Sequence, residues 1–373
     1  MRALGCLVLA FSCGLALGAG PAAGTVTDGR WRETGRSPIA LEYFQGMASD
    51  PDRRLWFDGV FAGLYRTDAR LRERARNDMA IPPEVTAATG YNHIGDPTWD
   101  DREGGRLLLP LECYSPNAPG GSNTCHRGAI AVADPGSLRW RYRVELDPAE
   151  IDKAMWVETS PDGRLAWTSS GSDLLAYRTA DISLAHAAPT AAPLRATRRL
   201  AGAVPPGGIT GAAFYGDRLF VASRAAAGFE VRSIDLRTGA QRLEIQRPAE
   251  LEPEGLDVVD ALGGVLHWIV RPLSGQGNVL LHFAPTRPLG TLRLTVRPAR
   301  LVAGRRTTLR FRAVHGSRPV AGAVVRLAGR WVRTRADGTA RMSARLTGAG
   351  RRRVTASRAD LKPGRAVLRV QRR

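Results

Sequence analysis

Short runs of alternating apolar and polar residues recur along this chain, each closed by a cluster of Gly, Pro, Asp or Ser. The clearest is residues 155–181, MWVETSPDGRLAWTSSGSDLLAYRTAD. Leu165 and Trp167 alternate with polar neighbours, as do Leu175 and Tyr177, the period of a half-buried strand. Ser160-Pro161-Asp162-Gly163 and Gly171-Ser172-Asp173 supply tight turns. The stretch therefore predicts three short antiparallel strands.

Four weaker copies of this unit surround it. The first runs through Gln45–Ala48, Arg54–Phe57 and Gly63–Arg66. The second starts at Tyr91–Asp96 and continues through Leu107–Leu109, Ala129–Val132 and Trp140–Val144. The fourth is Ile209–Phe214, Leu219–Ala222 and Phe229–Arg232. The fifth is Glu254–Val259, Val265–Ile269 and Val279–Phe283. In four copies the third strand runs into an aspartate, Asp68, Asp134, Asp181 or Asp235, placed to cap the following turn. A strand-rich unit repeated in this way predicts an all-β fold, a β-propeller with one blade per copy. Five blades is the count. A sixth within residues 182–207 is the alternative. The fifth copy shows three strands before Pro285, so Val26 to Arg36 is expected to add its fourth and close the ring.

Beyond a linker at Pro285 to Pro288 the alternation resumes. Leu292, Leu294 and Val296 face one way, with Arg293, Thr295 and Arg297 the other. Leu309 and Phe311 alternate with Arg310 and Arg312. This predicts a small β-sandwich. The phrases PVAGAVV (residues 319–325) and TRADGTA (334–340) resemble the immunoglobulin-like or carboxypeptidase-regulatory-like sandwiches of secreted bacterial proteins. That resemblance covers about 80 residues and implies a spacer or adhesive module without catalytic residues. The organisation read from the sequence is a leader at 1–24, a propeller at 25–285 and a sandwich at 286–373.

The leader is read from Arg2, an apolar run from Leu4 to Leu17 and small residues at 18–23, the pattern of a secretory signal. An uncleaved anchor, or a lipidated Cys13, is the alternative. No later stretch is apolar and long enough to span a membrane. Cys113 and Cys125 are the cysteines left after such cleavage. An exported chain is expected to join them, closing a loop of turn-forming residues. The expected location is secreted or extracytoplasmic, with envelope association.

Charge sharpens the division. Residues 289–373 carry 23 Arg and Lys against two acidic residues, whereas the remaining 288 carry 31 against 33. The basic unit is expected to meet a polyanion, such as an envelope phosphate polymer or acidic polysaccharide, or to act as a spacer. Another secreted protein is the alternative partner. Phe311 and Trp331 are its large rings, too few for the stacking platform of a single-strand nucleic-acid reader, and sequence-specific nucleic-acid binding is not expected.

The first strands of a propeller converge on its axis, so their polar residues are the candidate chemistry: Gln45, Asn92, His93, Asp96, Glu158, Thr210, Glu254 and Asp257. His93 with Asp96 could form a base and its orienter, although no serine sits on a nucleophile elbow. The phrase Glu254-Gly255-Leu256 resembles one in gluconolactonase-like propellers. That resemblance implies a Ca²⁺ site, for which Asn92, Asp96 and Glu254 are the nearest matches, and a lactonase-like or related hydrolase. The other functional reading is a non-catalytic binding protein.

Overall fold

The computed structural model describes residues 26–27, 29–59, 61–117, 123–188, 190–226, 228–248, 251–272, 277–287 and 289–372. The expected leader lies outside them. The fold is all-β, built mainly from antiparallel sheets, with parallel pairs where Gly290–Thr291 and Arg300–Val302 meet Leu361–Gln371. No helix among the described residues is long and apolar enough to cross a membrane.

Five sheets follow one another along residues 26–285, and the sequence repeat is visible in each. The first comprises Gly46–Ser49, Leu55–Asp58, Leu64–Thr67 and Glu73–Asn77. In the second, His93–Ile94 and Thr98–Asp100 both pair with Arg106–Glu112, followed by Ala129–Ala133 and Trp140–Glu145. The third is Glu158–Thr159, Leu165–Ser170, Asp173–Arg178 and Arg198–Leu200. The fourth is Gly207–Tyr215, Arg218–Ala225, Gly228–Ile234 and Gln241–Arg247. The fifth is Leu251–Ala261, Gly264–Pro272 and Asn278–Pro285, completed by Trp31–Ile39. Residues 182–207, where a further repeat was the alternative, supply the third sheet's outer strand instead.

The N-terminal segment does more than expected. Trp31–Ile39 is the outer strand of the fifth sheet, but Val26–Thr27 pairs with Gln246 and Ile245 at the edge of the fourth. It thus covers two neighbouring edges. Trp31 packs edge-on against Tyr215 and Phe220 of the fourth sheet. Pro83–Thr89, between the first and second sheets, forms a short helix ended by Gly90 in the left-handed region.

Each sheet is buried on both faces. Leu55 and Phe57 join Ile269 and Leu280 in one apolar cluster, while Trp56 points into another with Leu107 and Leu109. Further clusters join the second sheet to the third, the third to the fourth and the fourth to the fifth. Burial on both faces explains why Leu107–Leu109 reads as a continuous apolar run rather than an alternating one. The first strands make a matching circuit, each lying against the next, with the fifth against the first.

Three of the four turn aspartates act as expected, while Asp181 accepts from Arg178 Nε at 2.8 Å instead. Asp68 accepts the N–H groups of Arg70 and Arg72, Asp134 those of Gly136 and Ser137, and Asp235 that of Arg237. Cys113 and Cys125 form a disulfide with their Cα atoms 5.6 Å apart.

Residues 290–371 form two further sheets around a separate core that includes Leu294, Leu309, Phe311, Met342, Val354 and Leu368. One sheet contains Arg293–Arg297, Arg306–His315 and Thr339–Arg345. The other contains Leu361–Gln371, Gly350–Arg358, Val324–Leu327 and Arg330–Arg333.

Removing residues 1–39 takes away the strand that completes the fifth sheet and leaves Asn278–Pro285 as an open edge. A chain beginning at Ala40 is expected to aggregate or to melt well below the chain that keeps Val26–Ile39. Equal melting temperatures in thermal denaturation would mean that this strand contributes nothing to closure.

Candidate functional site

The first strands approach one another so closely that side chains are excluded at Gly46, Gly95, Gly211 and Gly255. A Cβ on Gly255 would lie 2.5 Å from Gly46 Cα and 2.7 Å from Asp96 Oδ1; one on Gly46 would lie 2.5 Å from Asp96 Cα. Glycine is therefore the residue that lets these backbones meet.

Asp96 sits at this crossing, fully buried. Its Oδ1 accepts the N–H of Met47 at 3.0 Å, and its Oδ2 those of Ala212 at 2.8 Å and Leu256 at 3.4 Å. Its own N–H donates to Met155 O at 2.9 Å, and its carbonyl accepts from Val157 at 3.0 Å. One residue of the second sheet is thereby bonded to the other four. Burial pushes its carboxyl well above the usual range, and the three backbone donors pull it back. Asp58 and Glu254 lie in the same buried region, where Glu254 accepts from Gln45 Nε2 at 2.9 Å. Burial raises both, and for Asp58 the charges of Asp96 and Glu254 add to it.

Above this crossing lies a cavity of about 370 Å³. Its floor takes one residue from each sheet in turn: Ser49, Thr98, Glu158, Phe214 and Asp257. Glu158 accepts the Thr98 hydroxyl at 2.5 Å and the Phe214 N–H at 3.1 Å. Burial, reinforced by the Asp257 charge, pushes Glu158 up to about 8. Burial likewise pushes Asp257 up to about 6. Asp257 Oδ2 is buried without a hydrogen-bond partner among the described residues.

The C-terminal unit forms the roof. Arg326 pairs with Asp52 at 2.6 Å, Arg333 with Asp101 at 2.6 Å and Arg358 with Asp217 at 2.9 Å. These aspartates lie in the first, second and fourth repeats, so the roof is tied down at three points. Gly322 packs on Pro161 of the third, where a Cβ would come 2.7 Å from Pro161 O.

The sequence candidates separate into distinct places. Glu158 and Asp257 line the cavity, whereas Asp96, Glu254 and Gln45 lie in the crossing beneath it. His93 is buried with Nδ1 2.9 Å from Glu112 Oε1, and Asp96 directs its carboxylate to backbone instead. Asn92 is committed to Tyr114, donating to its carbonyl at 2.9 Å and accepting its N–H at 2.8 Å. Among the described residues no group of three or more His, Cys, Asp or Glu is arranged to hold a metal ion.

Two features escaped sequence reasoning. Arg106, 1% exposed, holds Asp100 at 2.7 Å and donates to the carbonyls of Thr179 and Ile182, clamping the second sheet to the third. The three roof arginines also gave no separate signal, being three among many. Trp99 Nε1, which donates to Asp101 Oδ1 at 2.6 Å, shows how that carboxylate is held for Arg333.

No family profile matches the chain, and no curated protein matches it in sequence. Among solved structures, a glucose dehydrogenase is similar at 11% identity and a TM-score of 0.40, over 66% of this chain and 99% of that one. The extracellular domain of a protein described as a hybrid two component system from B. thetaiotaomicron is similar at 9% identity and a TM-score of 0.31. It covers 87% of this chain and 49% of its own length.

Two outcomes follow from the geometry. Asp96→Ala leaves three buried N–H groups without an acceptor, and a loss on the order of 3–5 kcal/mol is expected in denaturant unfolding. A loss below about 1 kcal/mol would mean that water replaces the carboxylate. The second outcome concerns pH. The folded values of Glu158 and Asp257 lie above those of an unfolded chain, about 4. The folded state therefore holds protons that the unfolded state has released, so stability falls as pH rises, up to about 6 for Asp257 and about 8 for Glu158. Glu158→Gln and Asp257→Asn should gain melting temperature over the parent chain as pH rises through that window. A difference independent of pH would show that neither carboxylate titrates as described.

Proposed function

We propose that this chain is an exported, envelope-associated binding protein. In this reading residues 25–285 are a five-bladed β-propeller. Residues 286–373 are an immunoglobulin-like sandwich that contacts a polyanion. The circuit of five sheets and five intervening cores supports the propeller. The disulfide supports an oxidising compartment.

The observation that carries the proposal is one face of the basic unit. Arg293, Arg297, Arg306, Arg310, Arg312, Arg341 and Arg345 are all exposed, alternating with buried Leu, Val, Phe, Ala and Met. Register places Arg297, Arg310 and Arg341 side by side on three adjacent strands, and Arg306 opposite Arg345. Adjacent strands lie about 4.8 Å apart, and like charges directly opposite destabilise a sheet. Among the described residues this unit's ion pairs are made by Arg326, Arg333 and Arg358, and none by the seven. A polymer bearing phosphate or sulfate groups would relieve the repulsion through bidentate contacts. Phe311 is buried beneath the face, so the face offers no ring for stacking bases.

The alternative, a calcium-dependent lactonase-like hydrolase, would need Asn92, Asp96 and Glu254 as free oxygen donors. Asn92 and Asp96 are committed to backbone groups and Glu254 to Gln45, so this donor set does not fit a calcium ion.

Binding through seven arginines should weaken by about 10³-fold or more between roughly 50 and 200 mM salt. The full chain should be retained on heparin and phosphate-polymer resins at low salt. The triple variant R297S/R310S/R341S should elute at clearly lower salt. R32S/R72S/R139S, which removes the same charge elsewhere, should elute with the parent. Equal shifts for the two triple variants would reduce the effect to net charge, and absence of retention would remove the polyanion reading.

A further inference from the structure

The roofed cavity carries a charge imbalance that the arginine face does not involve. Nearly every ionised group lining it has an opposite partner. Asp50 pairs with Arg54, Asp100 with Arg106, Asp101 with Arg333 and Asp260 with Arg53. Arg358 is held by Asp360 and Asp217. Glu158 and Asp257 are the exceptions. Neither makes an ion pair among the described residues, and they sit on neighbouring parts of the same floor. Asp257 presents a buried oxygen with no hydrogen-bond partner. In a chain of net charge +19, a cavity with two carboxylates outside any ion pair is the reverse of the background.

We propose that this cavity is a binding site for a small organic cation bearing ammonium or guanidinium groups, with Glu158 and Asp257 as its counter-charges. A cationic group would compensate the two carboxylates and offset the repulsion between them. The hydroxyls of Ser49, Thr98 and Thr159 and the ring of Phe214 complete the lining with polar and apolar contacts. Size argues for an organic ion. A cavity of about 370 Å³ is within the usual range for small-molecule sites and about tenfold larger than the ~30 Å³ of one water. Chemistry argues the same way, because both Glu158 oxygens already accept hydrogen bonds and only two carboxylates are available, too few for a protein-built calcium cage.

The site sits under the roof made by Arg326, Arg333 and Arg358, so a bound cation would lie between two units. Ligand and roof then favour one another. Arg333, the roof cation that acts on Glu158, stays engaged by Asp101 and leaves the floor carboxylates to the ligand.

The test uses the full chain with putrescine, agmatine and calcium chloride as separate probes in titration calorimetry. At about pH 8.5, above the values to which Asp257 and Glu158 are raised, putrescine or agmatine should bind saturably with a Kd below about 1 mM. Binding should weaken at least about tenfold at pH 5, and by a similar factor in E158Q/D257N. The double variant should melt no lower than the parent at the alkaline pH, which separates loss of the site from loss of the fold. D257N alone provides a second, milder test with the same expected direction. R297S/R310S/R341S should bind the amines as the parent does, so failure of the polyanion reading and failure of this one are distinguishable. No saturable amine binding up to about 10 mM, undiminished binding in E158Q/D257N, or saturable binding of calcium alone would each overturn the proposal.

Discussion

The carboxylate of Asp96 is bonded to backbone N–H groups of three sheets, and its own peptide groups join a fourth. Burying a carboxylate is costly unless donors meet it. Here the donors are peptide groups of other repeats, so the cost is offset only when all the repeats are in place. That makes Asp96 a test of correct assembly. The glycines around it follow from the same constraint, because backbones that must reach one carboxylate cannot carry side chains between them. The cavity between Glu158, Asp257 and the roof opens above this closed crossing.

Much of the fold was legible in the chain because strand period and turn chemistry are local. Leu165, Trp167, Leu175 and Tyr177 marked their strands, and the turn aspartates marked the ends. The N-terminal strand was legible by default, since the fifth repeat lacked one. Its division into two pieces was not, because pairing of Val26–Thr27 with residues 245–246 is set by how two sheets lie side by side. The same limit governed the site. Glu158 and Asp257 stood in a list of eight polar residues, and what distinguishes them is their place in the cavity lining, which a sequence cannot show. His93 was linked to Asp96 by proximity along the chain, whereas strand register places it opposite Glu112.

The basic unit uses arginine in two ways. Arg326, Arg333 and Arg358 face the first unit and find aspartates in its turns, and the open sheet presents seven more with none. Exposed pairs of this kind are individually worth little, but three of them set at separate repeats fix orientation. They hold the opposite sheet away from the cavity, facing outward. On the side toward its neighbour three arginines are paired, and on the open sheet seven are left as a lattice of like charges.

The strand that completes the fifth sheet has a consequence for how the molecule comes into being. Thr34 and His282, which share a hydrogen bond, are 248 residues apart. A ribosome delivering about 5–20 residues per second needs roughly 12–50 s to make that interval. Throughout it, Trp31–Ile39 has been made and has nothing to pair with. The first four sheets can form in succession as they emerge, but the circuit is finished by the earliest strand meeting the latest. A nascent chain stopped anywhere short of Pro285 is thus left with an unpaired strand at one end and an uncovered core at the other.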